Sequence, residues 1–311
     1  MQPDIPLKWY RQDGEGTPLV FLHGLFETSA IWDPLIDGLP ELSAPMVALP
    51  LPGHSSLDTV QGVREALAGD SFIDSYADTL RGLFGDCPVR LVGHSTGGFI
   101  SLLLARRHPD LVRDMCLIGA LVSGDLDGTR RLSIGISSLP ILGPLTFGWM
   151  CRYWLTDPHR FRRGMEAVFA PAATDSLLPY RMRGELAAVP PETLRLMALW
   201  LARRSIRETL AEIDHPALCV IGTQDPVVPP AHQLGLIKGL PNGHALLMNT
   251  GHLPFLEDPN RFRRIFLNWL ASAPEPLSDP ARPAASAPAI RASRARAPRW
   301  ALPAIQGTSS P

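Results

Sequence analysis

Cysteine is scarce and unpatterned. Cys87, Cys116, Cys151 and Cys219 show no C-x-x-C spacing, which excludes a zinc site or a disulfide frame. Cys116 and Cys219 lie in apolar, strand-like runs, as buried thiols of a reducing compartment do. Net charge is nearly absent as well: −1 at pH 7 gives no reason to expect a nucleic-acid partner or an acidic substrate. No uninterrupted apolar run reaches membrane-spanning length. The most apolar stretch, residues 134–155, is broken by Pro140, Gly143, Pro144 and Gly148 and carries Arg152, so helices lining a pocket or lying on a surface are expected there, and no membrane span. Residues 1–10 lack a basic segment followed by an apolar one, so no secretory signal is expected and the cytoplasm is the default compartment. Neither a ligand-spaced His/Asp cluster nor a phosphate-binding glycine loop occurs, so no metal or organic cofactor is expected.

What is present is enough apolar material for a large core: 45% of 311 residues are hydrophobic, which suits one domain with an insertion or two small domains. Residues 7–11 and 18–22 predict two strands, and the turn Asp13-Gly14-Glu15-Gly16 between them predicts a hairpin. Thr28 or Ser29 caps a helical pattern carried by Ile31, Trp32, Leu35, Ile36 and Leu39. A strand over 45–51, a helix over 72–84 and a strand over 115–122 follow. Strands alternating with helices predict an α/β fold whose mostly parallel central sheet has helices on both faces.

The most informative stretch is Val89-Arg90-Leu91-Val92-Gly93-His94-Ser95-Thr96-Gly97-Gly98-Phe99-Ile100. A buried strand runs into small residues that force a sharp turn, and a helical pattern leaves it. Gly93-x-Ser95-x-Gly97 has a steric cause, because a nucleophile on a strained strand-to-helix turn brings its neighbours two before and two after too close for side chains. The helix that follows aims its first free N–H groups at negative charge developing beside the serine.

Other polar residues fall at predicted strand ends. His23-Gly24-Leu25-Phe26 ends the second strand, where a loop can offer a backbone N–H to an oxyanion; the plainer reading is a turn glycine and a satisfied buried histidine. His54, in Pro52-Gly53-His54-Ser55, is read as structural. Asp225 follows the strand over 217–222 and His252 follows the strand over 245–248. An Asp before Pro is often a turn former and a Gly-His pair is often incidental, but their order after Ser95 is the one a catalytic triad requires.

Between about 126 and 213 no strand is expected, only helical stretches over 134–155, 161–169 and 192–204. The expected organisation is a core of residues 1–123 and 214–271, a helical cap insertion over 124–213 and a disordered Pro/Ala/Arg-rich tail over 272–311. That tail holds 11 Ala, 8 Pro and five Arg against two acidic residues, a composition that cannot bury a core. Leu139, Ile141, Leu142, Phe147, Trp149, Met150 and Trp154 of the cap are expected as core or as the lining of an acyl or aromatic pocket.

With Gly93–Gly97, Asp225 and His252 in this order, together with His23-Gly24, Pro52-Gly53-His54 and Gly222-Thr223-Gln224-Asp225-Pro226, the chain resembles the α/β-hydrolase superfamily, in particular its lidded, esterase- or lipase-like serine hydrolases. The resemblance covers about residues 7–270. It departs in having Pro50 and Ser55 where relatives commonly carry an acid and a glycine. A serine at 95, where dehalogenases and epoxide hydrolases of this fold carry Asp, argues against both. The resemblance implies that Ser95 attacks a carbonyl, His252 moves the proton and Asp225 orients His252. It implies an oxyanion hole from the N–H groups of Thr96 and Leu25, with Phe26 the alternative to Leu25. The expected partner is a small-molecule acyl substrate: an apolar carboxylic ester, lactone or thioester cleaved through an acyl-enzyme. Acyl transfer or C–C bond cleavage on the same triad, and a non-catalytic ligand-binding role, are the alternatives. Oligomeric state is not addressed by these residues.

Overall fold

The computed structural model describes residues 5–124, 135–171 and 180–272, and the tail beyond 272 lies outside them. Seven strands form one sheet: β1 (Lys8–Arg11), β2 (Leu19–Leu22), β3 (Met46–Leu49), β4 (Val89–His94), β5 (Val112–Ile118), β6 (Ala217–Gly222) and β7 (Gly243–Met248), in the order β1-β3-β2-β4-β5-β6-β7. All neighbouring pairs are parallel except β1 with β3. The central strands read as unbroken apolar runs because both faces are covered: every residue of β2, β3, β4 and β6 is buried.

The expected hairpin of the first two strands does not form. Both edges of β2 are occupied by parallel partners, β3 on one side and β4 on the other, so β1 takes the outer edge of β3, pairing Lys8 with Ala48 and Trp9 with Val47. A tight glycine turn was a sound local signal, but the ladder was filled from farther along the chain.

Alternating residues of the strands feed two apolar layers. Val20, Leu22, Val47, Leu91 and Leu117 face helices Ser71–Phe84, Thr96–Arg107 and Pro230–Gly239. Leu19, Phe21, Val92, Cys116 and Val220 face Trp32, Phe255, Phe262, Phe266 and Trp269, the last three on helix Pro259–Ala271. Each fully buried aromatic of that helix contributes about 1.5–3 kcal/mol through the apolar surface it removes from water. The pattern expected after Thr28 becomes a 3₁₀ turn, Ser29–Trp32, and a single α-turn, Asp33–Ile36.

Between β5 and β6 the described residues form helices and no strand of the sheet: residues 135–138, Leu142–Leu155, Pro158–Glu166, Tyr180–Ala188, Pro191–Leu201 and the 3₁₀ helix Arg207–Glu212. Several hydrogen bonds fasten them to the sheet side, among them those of Ala170 N to Glu257 Oε2 (2.8 Å) and of Trp200 Nε1 to Asp70 Oδ1 (2.7 Å). His252 N donates to Val168 O (2.9 Å), Thr28 Oγ1 to Glu185 Oε2 (2.5 Å) and Thr193 Oγ1 to Gly53 O (2.9 Å). Of the apolar residues expected to fill a core or a pocket, Leu139, Ile141, Leu142, Trp149 and Met150 are instead exposed. Helix Leu142–Leu155 is apolar around most of its circumference, and only the side bearing Phe147, Cys151 and Leu155 can turn inward. Among the described residues no helix is long and apolar enough to cross a membrane.

Candidate active site

A parallel sheet delivers the C-terminal ends of its strands to one edge, and ligands of open α/β sheets bind there. β2 ends there in His23-Gly24-Leu25-Phe26, β4 in Ser95, β6 in the loop carrying Asp225 and β7 in the loop carrying His252.

Ser95 sits at φ 53°, ψ −115°, a left-handed strain of the kind that collects at functional sites, and it opens helix Thr96–Arg107. Its own N–H still belongs to the sheet, donating to Ile118 O at 2.8 Å. The turn closes only because its glycines have no Cβ. At Gly97 a Cβ would overlap the carbonyl of Leu22 and lie 2.6 Å from that of His23; at Gly93 it would lie 2.6 Å from Ser101 Oγ. Both obstacles at Gly97 are backbone atoms of a central strand end and cannot swing aside. Gly97→Ala is therefore expected to lose about 3 kcal/mol of stability or more, read as a fall in the urea midpoint; an unchanged midpoint would contradict the packing described.

The Asp–His half of the constellation is closed. Asp225 Oδ2 accepts from His252 Nδ1 at 2.8 Å and from Gln233 Nε2 at 2.9 Å, while Asp225 Oδ1 accepts from the N–H groups of Val227 (2.7 Å) and Val228 (2.9 Å). With Nδ1–H so engaged, the lone pair of His252 lies on Nε2. Burial pushes the His252 pKa below its ordinary 6.5; the Asp225 bond opposes that and the neighbouring His94 reinforces it. No hydrogen bond joins the Ser95 hydroxyl to His252 among the described residues; such bonds are often long in unliganded enzymes and tighten with substrate. Ser95, Asp225 and His252 are 7%, 5% and 5% exposed, so the site lies beneath the surface.

The two N–H groups named for an oxyanion, those of Thr96 and Leu25, have no partner among the described residues. The Phe26 N–H is engaged, donating to His54 Nε2 at 3.3 Å. His54 in turn donates Nδ1–H to Pro52 O, and burial pushes its pKa down to about 3, so it is a neutral structural ring. His23 has the same form: Nδ1–H donates to Gly24 O and Nε2 accepts from Leu51 N–H.

A model of the alpha/beta hydrolase family matches residues 19–265. The chain belongs to that family. Among curated proteins it is 28% identical over 253 residues to the pimeloyl-[acyl-carrier protein] methyl ester esterase of Neisseria meningitidis, a match covering 80% of this chain and 91% of that protein. Among solved structures it resembles an esterase from Exiguobacterium antarcticum (TM-score 0.63, 18% identity, 86% of this chain and 95% of that one). It also resembles the enol-lactonase of Burkholderia xenovorans (TM-score 0.59, 17% identity, 85% and 96%). At such identities the structural likenesses speak for the fold.

Several side chains of this alpha/beta hydrolase that serve the site were not singled out by its sequence. Gln233 holds Asp225 from the next helix. Glu257 brackets His252, its Oε2 accepting from Gly251 N (2.7 Å) and its Oε1 from Leu253 N (3.1 Å). Glu27 and His94 meet beneath the elbow. For Glu257 a signal existed in the i, i+4 and i, i+6 spacing to the loop it caps; for Glu27 and His94 no local pattern does.

Proposed function

We propose that the chain is a serine hydrolase of small to medium apolar carboxylic esters, lactones or thioesters, working through an acyl-enzyme on Ser95. The observation that carries the reading is the 2.8 Å bond from His252 Nδ1 to Asp225, which leaves a basic Nε2 at the sheet edge where the strained elbow presents Ser95. In this reading Ser95 Oγ attacks the carbonyl while Nε2 takes its proton, and the resulting imidazolium is held by Asp225. The oxyanion draws on the N–H groups of Thr96 and Leu25, each such donor being worth about 10²–10³-fold in rate. Leu25 is preferred to Phe26 because the latter's N–H already serves His54. His252 then returns the proton to the departing alcohol or thiol, and water repeats the sequence on the acyl-enzyme.

An apolar acyl group is favoured by the aromatic surroundings: the ring of Phe26 lies 5.8 Å from that of Phe147 and 6.5 Å from that of Trp154, both on helix Leu142–Leu155. We assign the described residues between 124 and 213 as a cap over a core formed by those of 5–123 and 214–271 on the same grounds; 125–134 and 172–179 lie outside the described residues. The relative named as a methyl ester esterase supports ester cleavage as the reaction.

The test is turnover of purified protein against a panel of aryl esters, lactones and thioesters of increasing acyl length, followed from pH 4 to 9. Hydrolysis of apolar acyl esters is expected; no turnover of any panel member by folded protein would refute the reading. The sign of the pH dependence follows from His252: only the neutral ring can take the serine proton, so kcat/KM falls as pH drops through its lowered pKa. The acid limb is therefore expected at an apparent pKa below 6.5, with a plateau across neutrality. An acid limb centred above 7 would contradict it.

A further inference from the structure

We propose that the buried pair Glu27–His94 is the positioning unit of this site, tying the oxyanion loop, the nucleophile elbow and the His252 loop into one frame. The inference rests on the triad reading and extends it to two residues that touch no reacting atom.

The geometry spans three separate parts of the chain. Glu27 Oε2 accepts from the Gly24 N–H at 2.6 Å, which folds the Gly24–Glu27 turn back on itself. His94, the residue before Ser95 and wholly buried, donates Nδ1–H to the Glu27 carboxylate at 3.0 Å. On its other side Nε2–H donates to the backbone carbonyl of His252 at 3.0 Å. The His94 ring also lies against that of His252, with centroids 4.6 Å apart, and against Phe255 at 5.5 Å.

Both nitrogens of His94 face acceptors. Glu27 is ionised, because against burial His94 and the Gly24 N–H hold its pKa down. Facing a carboxylate and a carbonyl, a neutral imidazole with its single N–H would set lone pair against lone pair at one of the two contacts. The ring therefore carries both protons, and the Glu27 carboxylate balances the charge. The neighbouring groups agree in direction: burial opposes the charge on His94, but Glu27 and the bonds to it prevail and hold its pKa up, while the same ring holds that of Glu27 down. Asp225 and the neutral rings of His23 and His252 complete the titratable groups around the pair.

A buried ion pair is a weak source of net stability, since the desolvation of both charges offsets most of their attraction. Its bonds are nevertheless directional and short of slack. With Gly24 N–H drawn to Glu27 and Phe26 N–H to His54, the Leu25 N–H between them is the one left free. With its carbonyl held by His94, the His252 backbone cannot slide relative to Ser95. A shift of about 1 Å in such a constellation lowers the rate by about 10²-fold without loosening substrate binding.

The experiment compares wild type, Glu27→Gln, Glu27→Asp and Ser95→Ala as full chains. It reads kcat and KM on an aryl ester, the rate of covalent labelling by a fluorophosphonate, and the thermal midpoint. Glu27→Gln is expected to lower kcat and the labelling rate together by about 10–100-fold, with KM within about twofold of wild type, and Glu27→Asp to recover part of the loss by restoring the charge. Unchanged kcat and labelling rate per folded molecule, whatever the midpoint does, would reduce the pair to a structural role and overturn the proposal; so would a rise in KM at constant kcat. If the Gln variant does not fold, ring ¹⁵N NMR of wild type at pH 8 decides: two protonated His94 nitrogens support the pair, and a neutral ring overturns it. Ester turnover that survives Ser95→Ala would remove the triad reading itself, whereas Ser95-dependent turnover that ignores Glu27 would remove only the pair.

Discussion

Ser95→Ala is expected to lower ester turnover by about 10⁴-fold or more while leaving the fold intact, because the proposed mechanism takes its attacking oxygen from this side chain. The residual rate should come from the oxyanion donors and from binding, which in serine hydrolases sustain about 10³–10⁴-fold over the uncatalysed reaction without the triad. Folding should survive because the hydroxyl makes no hydrogen bond among the described residues and alanine meets the same strain at φ 53° that serine does. The elbow is held by Gly93, Gly97 and the bond from Ser95 N to Ile118 O, none of which the substitution touches. The measurement is kcat of the purified variant beside its thermal midpoint. Activity within tenfold of wild type would mean that another nucleophile operates.

Asp225→Asn is expected to cost about 10⁴-fold in kcat through the tautomer of His252 rather than through lost binding. Asp225 uses all of its acceptor capacity: Oδ1 serves Val227 and Val228, so an asparagine would keep its carbonyl oxygen there and turn its NH₂ toward Gln233 and His252. That NH₂ would donate to His252 Nδ1 and drive the ring proton to Nε2, where a lone pair is needed. It would also face the NH₂ of Gln233, leaving a buried donor unpaired at about 1–3 kcal/mol. The expected signature is a collapsed kcat, a KM little changed and a moderate fall in midpoint. A kcat within about tenfold of wild type would show that Asp225 does not orient the base.

The site was legible in the sequence where chemistry and steric need coincide within a few residues. Gly93-x-Ser95-x-Gly97 announces a turn that nothing larger can close, and Asp225 and His252 each follow an apolar run readable as a strand, the first buried throughout and the second a half-exposed edge. The sheet edge brings these three together because parallel strands all end on one side. What stayed hidden depends on contacts between distant parts of the chain. Glu27 lies 67 residues from His94, and His94 lies 158 from His252, so nothing in either local pattern says that they meet. The β1 pairing failed for the same reason: a glycine turn speaks only for its own neighbourhood, and both edges of β2 are taken by β3 and β4. Among the inserted helices, composition announced apolar residues but not which side would be covered, and Trp149 and Ile141 stayed outside while Phe147 went in.

The central claim is an activated serine at position 95, and covalent labelling with a fluorophosphonate, read by intact mass, tests it without presupposing a substrate. The account predicts a single adduct on wild type and none on Ser95→Ala. Folded wild type that takes no label, or an adduct that persists in the alanine variant, would contradict it.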